Sequence, residues 1–153
     1  EIGQIGKKPD EMIRNPMPWT AGPNGGFTAA ARPWERLQKG HERRNVAAQH
    51  ADPDSLLNHY RRLIRLRQSE PALSRGAVRS LETGREDVIA WERAADGRRL
   101  VVVANLSDAA IRAFRVPGND GAAVAAELLH ATPIEAGAVT LEPHRLHVFS
   151  TRP

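Results

Sequence analysis

The chain contains no cysteine. That excludes disulfides and thiolate metal ligands, and it slightly favours a cytoplasmic setting over an oxidising one. No apolar run reaches the roughly 18 residues that a membrane span needs, so no membrane partner is expected. No basic stretch followed by an apolar one marks a signal peptide. The chain opens on Glu1 rather than Met, so any targeting segment would lie in whatever preceded it. Lysine is also scarce, with 3 residues against 19 arginines. The net charge is +4 and the pI is near 10.3. A basic balance raises the question of nucleic acid. The arginines are spread along the chain, however, and a polyanion-binding face needs clustered charge. No nucleic-acid partner is expected.

What is present is soluble globular composition, 41% hydrophobic and 26% charged. Residues 1–50 lack helical or strand periodicity and are punctuated by Pro9, Pro16, Pro18, Pro23 and Pro33. They nevertheless hold Trp19, Phe27 and Trp34, which disordered segments rarely do. Such a segment reads as ordered loops packed on a body that this chain does not contain. Residues 52–69 read as a helix, with Asp52 as N-cap, Pro53 at the first position and Pro71 as the stop. Leu56, Leu57, Tyr60, Leu63 and Ile64 fall on one face, opposite Arg61, Arg62 and Arg65.

From about residue 76 the period becomes two. Strands are expected at 77–82, 87–93, 99–105, 110–116, 124–130, 138–141 and 146–151. Asp96-Gly97 marks a hairpin, and 118–121 marks a further turn. The run Leu100–Ala104 suits a strand buried on both faces. Short strands with regular turns argue for a sandwich of two antiparallel sheets.

Chemistry-bearing patterns are sparse. Residues 22–26 lack the Lys-Ser/Thr of a phosphate loop, and no Gly-x-Ser-x-Gly elbow occurs. His144 and His147 should face opposite sides of a strand, and His41, His50 and His59 lack ligand spacing. Asp10 and Glu11 read as surface charges of a loop. Residue types and spacing alone disclose no reaction.

Four stretches taken together carry a resemblance. They are Glu1–Gly6; Lys7–Thr20, containing Arg14-Asn15-Pro16-Met17-Pro18-Trp19; Asn24-Gly25-Gly26-Phe27-Thr28 followed by Pro33-Trp34, Asn45-Val46 and Gln49; and Asp52–Arg67. In this order they closely resemble the C-terminal part of α-amylase-family glycoside hydrolases. The nearest branch is that of α-glucosidases, oligo-1,6-glucosidases and trehalose synthases. The resemblance implies a mixed fold: the end of a (β/α)8 barrel over residues 1–71, with a long loop at 7–50 and the last barrel helix at 52–69, followed by an all-β antiparallel sandwich over 72–153.

Further expectations follow from the resemblance. The family acts on α-glucosidic bonds with retention, and its three catalytic carboxylates come from earlier barrel strands. A C-terminal segment would hold no catalytic residue, metal ligand or cofactor, and would be inactive alone. Any calcium would belong to the parent enzyme. Arg14 matches the arginine of the branch motif Arg-x-Pro-Met-Gln-Trp, which lies near the sugar at the cleavage site. It would bind substrate hydroxyls or brace the loop against a barrel carboxylate. Pro18 departs from the Gln of that motif and offers no side-chain hydrogen bond. Trp19 and Trp34 are expected beneath the loop rather than stacked on a sugar.

The partner implied is an α-glucan or α-glucoside, and self-association through the apolar face of helix 52–69 is a second expectation. Two alternatives are a fragment of a trehalose synthase-type isomerase and a stand-alone sugar-binding sandwich. The latter would need an exposed aromatic among Trp91, Phe114 and Phe149.

Overall fold

A computed structural model of the chain describes residues 14–118 and 124–151. The expectations for Glu1–Gly6, Asp10, Glu11 and the turn at 119–121 lie outside these residues. The chain divides into two compact units, residues 1–61 and 62–153.

In the first unit, the described loop carries one short 3-10 turn, Pro23–Gly26, and then a helix α1, Val46–Ala51. That helix is absent from the periodicity reading because six residues are too short to show an apolar stripe. Its signal is Asn45, whose side-chain oxygen accepts the Ala48 amide at 2.9 Å.

The next helix, α2, spans Leu56–Ser69 rather than beginning at 52. Asp52 instead closes α1, its amide donating to the Ala48 carbonyl, while its carboxylate accepts the Asp54 amide. Ser55 is the cap of α2, with its hydroxyl accepting the Asn58 amide at 3.2 Å. Gln49 decides between the two candidates. Its side-chain oxygen accepts the Leu57 amide, and its carbonyl accepts the Ser55 hydroxyl and the Asn58 side chain. Those bonds hold residues 55–58 against the end of α1, so the chain turns at 52–54 before the helix starts. No residue of α2 is buried, and Leu56, Tyr60 and Ile64 on the predicted apolar face are exposed.

The second unit opens with the C-terminal half of α2. Pro71 both ends α2 and begins a further short helix, α3, Pro71–Arg75. The strands β1 (Ala77–Leu81), β2 (Val88–Ala95), β3 (Arg98–Asn105), β4 (Ile111–Arg115), β5 (Val124–Glu127), β6 (Ala138–Leu141) and β7 (Leu146–Thr151) follow. Among the described residues they form an antiparallel five-stranded sheet, ordered β1-β2-β3-β7-β5, and a two-stranded sheet of β4 and β6. Asp96 and Gly97, with φ of 52° and 74°, make the two-residue turn between β2 and β3.

Period two sorts the side chains. Val88, Ala90, Val101, Val103, Val124 and Phe149 meet Phe114, Val139 and Leu141 of the smaller sheet, and Val116 just after β4, in one core. Leu100, Val102 and Val148 face the other way and are covered by Ala72 and Leu73 of α3 and Leu66 of α2. The five-residue run of β3 is therefore buried on both faces, as its sequence predicts. Trp91 packs against this second cluster, and Phe114 and Phe149 are buried in the first. Of the three aromatics that the stand-alone sugar-binding alternative could use, Phe114 and Phe149 are buried and Trp91 is partly buried.

Arginines knit the unit together. Arg93 donates to the carbonyls of Ala72 and Leu73, each at 3.1 Å, and Arg98 grips Glu70 through two bonds. Glu92 is buried between Arg79 and Arg99. Its burial alone would raise its carboxyl pKa, but the hydrogen bonds from Arg99 and Arg79 outweigh burial and hold it below the ordinary value.

Candidate functional site

The loop that carries Arg14 is held by backbone hydrogen bonds. Asn24, Gly25 and Gly26 run left-handed, with φ of 52°, 61° and 69°. Glycine suits that conformation, and a Cβ at Gly26 would meet Thr20 Oγ1 at 2.8 Å. The turn aims the Gly25 carbonyl at the amides of Trp19 and Thr20, at 2.8 and 2.9 Å. From the other side, the carbonyls of Pro18 and Trp19 accept the amides of Val46 and Ala47, each at 3.0 Å. A helix leaves its first-turn amides without intrahelical partners. Here those of α1 are satisfied by the loop and by Asn45, so residues 18–19 are fixed between a glycine turn and a helix end.

Asn45 is buried and also donates to the carbonyls of His41 and Glu42, at 3.0 and 3.1 Å. The quoted motif residues Asn24, Gly25, Gly26, Asn45 and Gln49 thus build the scaffold. Pro18 takes part through its carbonyl, a role open to a residue without a side-chain donor.

Arg14 lies exposed four residues before this anchor. Next to it in sequence, Asn15 helps line a cavity of about 180 Å³ together with Pro18, Gln38, Arg44, Asn45 and Gln49. The Asn15 amide donates to the Arg36 carbonyl at 3.1 Å. Its oxygen is buried without a hydrogen-bond partner among the described residues. Composition did not single out Asn15 or Gln38, because they are brought together by contacts between residues far apart in sequence.

Trp19, Phe27 and Trp34 are 49%, 43% and 64% exposed. Within this chain neither Trp19 nor Trp34 is covered by the described part of the loop. Among the described residues the loop is closed by backbone bonds and polar side chains.

The five histidines weighed in the sequence do not converge on one another. His41 bonds the Gln38 carbonyl, His50 ends α1, and His59 packs edge-on against Tyr60. His144 bonds Asp108 in a turn, whereas His147 is fully buried on β7. Among the described residues, no group of three or more His, Asp or Glu is arranged to hold a metal ion. No helix among them is long and apolar enough to cross a membrane. The buried carboxylates, Glu92 and Glu127, are both engaged: Glu92 by arginines and Glu127 by backbone amides.

Comparison with known proteins agrees with the motif order. The family model of the α-amylase catalytic domain matches residues 2–76. A probable alpha-glucosidase from Rhizobium meliloti (strain 1021) is 38% identical over 97 residues, covering 63% of this chain and 17% of that protein. The probable oligo-1,6-glucosidase 2 of Bacillus subtilis (strain 168) is 34% identical over 123 residues, covering 80% of this chain and 21% of that protein. Among solved structures, trehalulose synthase MutB from Pseudomonas mesoacidophila MX-45 superposes with a TM-score of 0.74 at 29% identity, covering 93% of this chain and 26% of that one. The chain thus spans about a fifth of the length of these curated relatives. The similarity runs through the loop scaffold, the helices and the β sheets, and it includes glycosidases of the branch that the motifs single out. The chain belongs to the α-amylase family of glycoside hydrolases.

Proposed function

We propose that the chain supplies the end of a (β/α)8 barrel and the β domain that follows it, in a retaining enzyme that cleaves α-glucosidic bonds. The observation that carries this reading is the match of residues 2–76 to the catalytic-domain family, together with relatives named as glucosidases. Retention needs a nucleophilic carboxylate and a carboxylic acid roughly 5 Å apart across the sugar. Glu92 and Glu127 are committed elsewhere, so we place that pair on a part of the enzyme outside this chain.

Arg14 binds the hydroxyls of the sugar at the cleavage site. A guanidinium presents five donors in a planar fork, suited to adjacent hydroxyls. The anchored segment at 18–19, four residues away, limits how far it wanders. A second reading, a glucosyl-transferring isomerase, is supported by the likeness to trehalulose synthase. It differs in what accepts the glucosyl group, a sugar hydroxyl rather than water.

The exposed residues Leu56, Tyr60 and Ile64 pack on the barrel in the whole enzyme. In the chain alone, such an apolar stripe drives association. Sedimentation velocity is expected to show concentration-dependent dimers or larger species, reduced by Tyr60→Lys. A monomer at all concentrations, with α2 intact, would remove this interface.

Incubation of the chain with maltose, isomaltose and starch is expected to release no glucose. The full-length enzyme is expected to hydrolyse at least one of them, with retention at the anomeric carbon. Glucose release by the chain alone would overturn the proposal, and a rearranged disaccharide as the main product of the full-length enzyme would select the isomerase reading.

A further inference from the structure

Glu127 and His147 form a buried polar cluster in the β unit that the glycosidase reading does not use. Both side chains are fully enclosed. Glu127 ends β5 by turning its carboxylate onto the chain that follows. Its Oε1 accepts the amides of Leu129 and Val148, each at 3.1 Å, and its Oε2 accepts those of His130 and Thr132, at 2.6 and 3.3 Å. This is why the strand expected to run to residue 130 stops at 127. The carboxylate takes the place of a ladder and ties the β5–β6 connection to β7.

His147 lies beside this anchor. Its Nδ1 is 3.5 Å from Thr132 Oγ1 and 3.9 Å from Glu127 Oε1. Its Nε2 is buried without a hydrogen-bond partner among the described residues. The ring is stacked on Phe149, at 5.9 Å between centroids, and meets His130 edge-on at 5.7 Å. The titratable groups acting on it are Glu127 from β5, His130 from the connection, and Glu142 and Arg145 from the turn before β7. From β3 it is opposed by Val103, and the smaller sheet brings the apolar Ile111, Phe114, Val139 and Leu141 to this core.

The neutral ring fits this site and the protonated ring does not. An imidazolium has two N–H donors. One would face no acceptor. The other would draw on Glu127 Oε1, whose lone pairs already serve Leu129 and Val148. Strengthening one bond there weakens the others.

We propose that His147 and Glu127 form an acid-sensitive latch, in which protonation of His147 diverts Glu127 from the backbone and releases the β5–β6 connection from β7. Burial supports this by pushing the His147 pKa down, against the smaller opposing pull of Glu127. The sign follows from linkage. A histidine depressed in the folded state binds fewer protons folded than unfolded. The latch is therefore fully closed above the ordinary histidine value of about 6.5, and it weakens as pH falls from there toward the depressed folded value.

Amide hydrogen exchange on the full chain tests the latch. Between pH 7.5 and 5.5, after correction for intrinsic rates, protection at Leu129, His130, Thr132 and Val148 is expected to fall about tenfold, the effect of one pH unit below an unshifted pKa. Protection at Val101 and Val103 in the central strand should change less than twofold. In His147→Gln, which cannot titrate, the acid-dependent loss should disappear. Equal loss across all strands would mean global acid unfolding and would overturn the latch, as would an unchanged loss in His147→Gln. Should that variant not fold, the wild-type ring decides the matter. A His147 resonance that titrates at or above about 6.5 with the Leu129 and Val148 amides still protected would also overturn it.

Discussion

A single methyl group at position 76 is expected to cost the β unit about 3 kcal/mol, at the upper end of overpacking effects. Gly76 follows α3, where that helix passes close over the end of β2. A Cβ there would lie 2.4 Å from the Ala72 carbonyl oxygen and 2.8 Å from that of Ala94. Both neighbours are backbone, so no side chain can swing aside. The Ala72 oxygen is doubly committed, accepting the Gly76 amide and the Arg93 guanidinium, each at 3.1 Å. Ala72 itself is fully buried in the second apolar cluster. Opening room for the methyl must stretch those bonds and lift α3 from Leu100, Val102 and Val148. Urea denaturation of Gly76→Ala, followed by far-ultraviolet circular dichroism, should show the lowered midpoint. The melting temperature should drop by roughly 12–24 °C for a unit of this size. A loss below about 1 kcal/mol would mean that the helix can tilt away without breaking the contacts named here.

In the full-length enzyme that carries this segment, Arg14→Ala is expected to lower kcat/KM about 100-fold, equivalent to about 2.7 kcal/mol. The argument rests on the proposed place of Arg14 at the sugar. Removing a charged donor from hydroxyls in a closed site loses several hydrogen bonds and leaves the substrate oxygens unpaired. Arg14→Lys should recover only part of the loss, because an ammonium cannot reproduce the planar fork. The competing role, bracing the loop, makes a different prediction. It would lower the denaturation midpoint and disturb the anchor formed by Pro18, Trp19 and the start of α1. An unchanged midpoint with a 100-fold loss supports substrate binding. A lowered midpoint with kcat/KM unchanged after correction for unfolded protein would assign Arg14 to the loop.

Much of the β unit was legible in the sequence. Alternation along Val88–Arg93 sorted two faces that the structure keeps, with Val88 and Ala90 in one core and Trp91 in the other. The unbroken run Leu100–Ala104 marked the strand covered on both sides. Asp96-Gly97 marked the hairpin turn. The first unit was less legible. Helix α1 is too short to show an apolar stripe, and its first amides find their acceptors in Pro18 and Trp19, more than two dozen residues earlier. Asp52 looked like the better cap for α2, and only the bonds of Gln49 to residues 55–58 show why Ser55 holds that place. The indoles of Trp19 and Trp34 are exposed in this chain. Aromatic content says that a ring seeks cover, and it does not say on which side of a loop the cover lies.

The sequence by itself determined the periods, the turn chemistry and the motif order, and through that order the family. The periods and the turn chemistry are local properties: each depends on a residue and neighbours within a few positions, where backbone geometry and burial preference act directly. Tertiary structure alone decided where hydrogen bonds close over long separations. It brought the carbonyls of Pro18 and Trp19 to α1, set α3 against β2 at Gly76, and enclosed Glu127 with His147. A carboxylate written between two short apolar runs gives no sign of which amides it will hold, because those amides are chosen by the packing of the sheets around it.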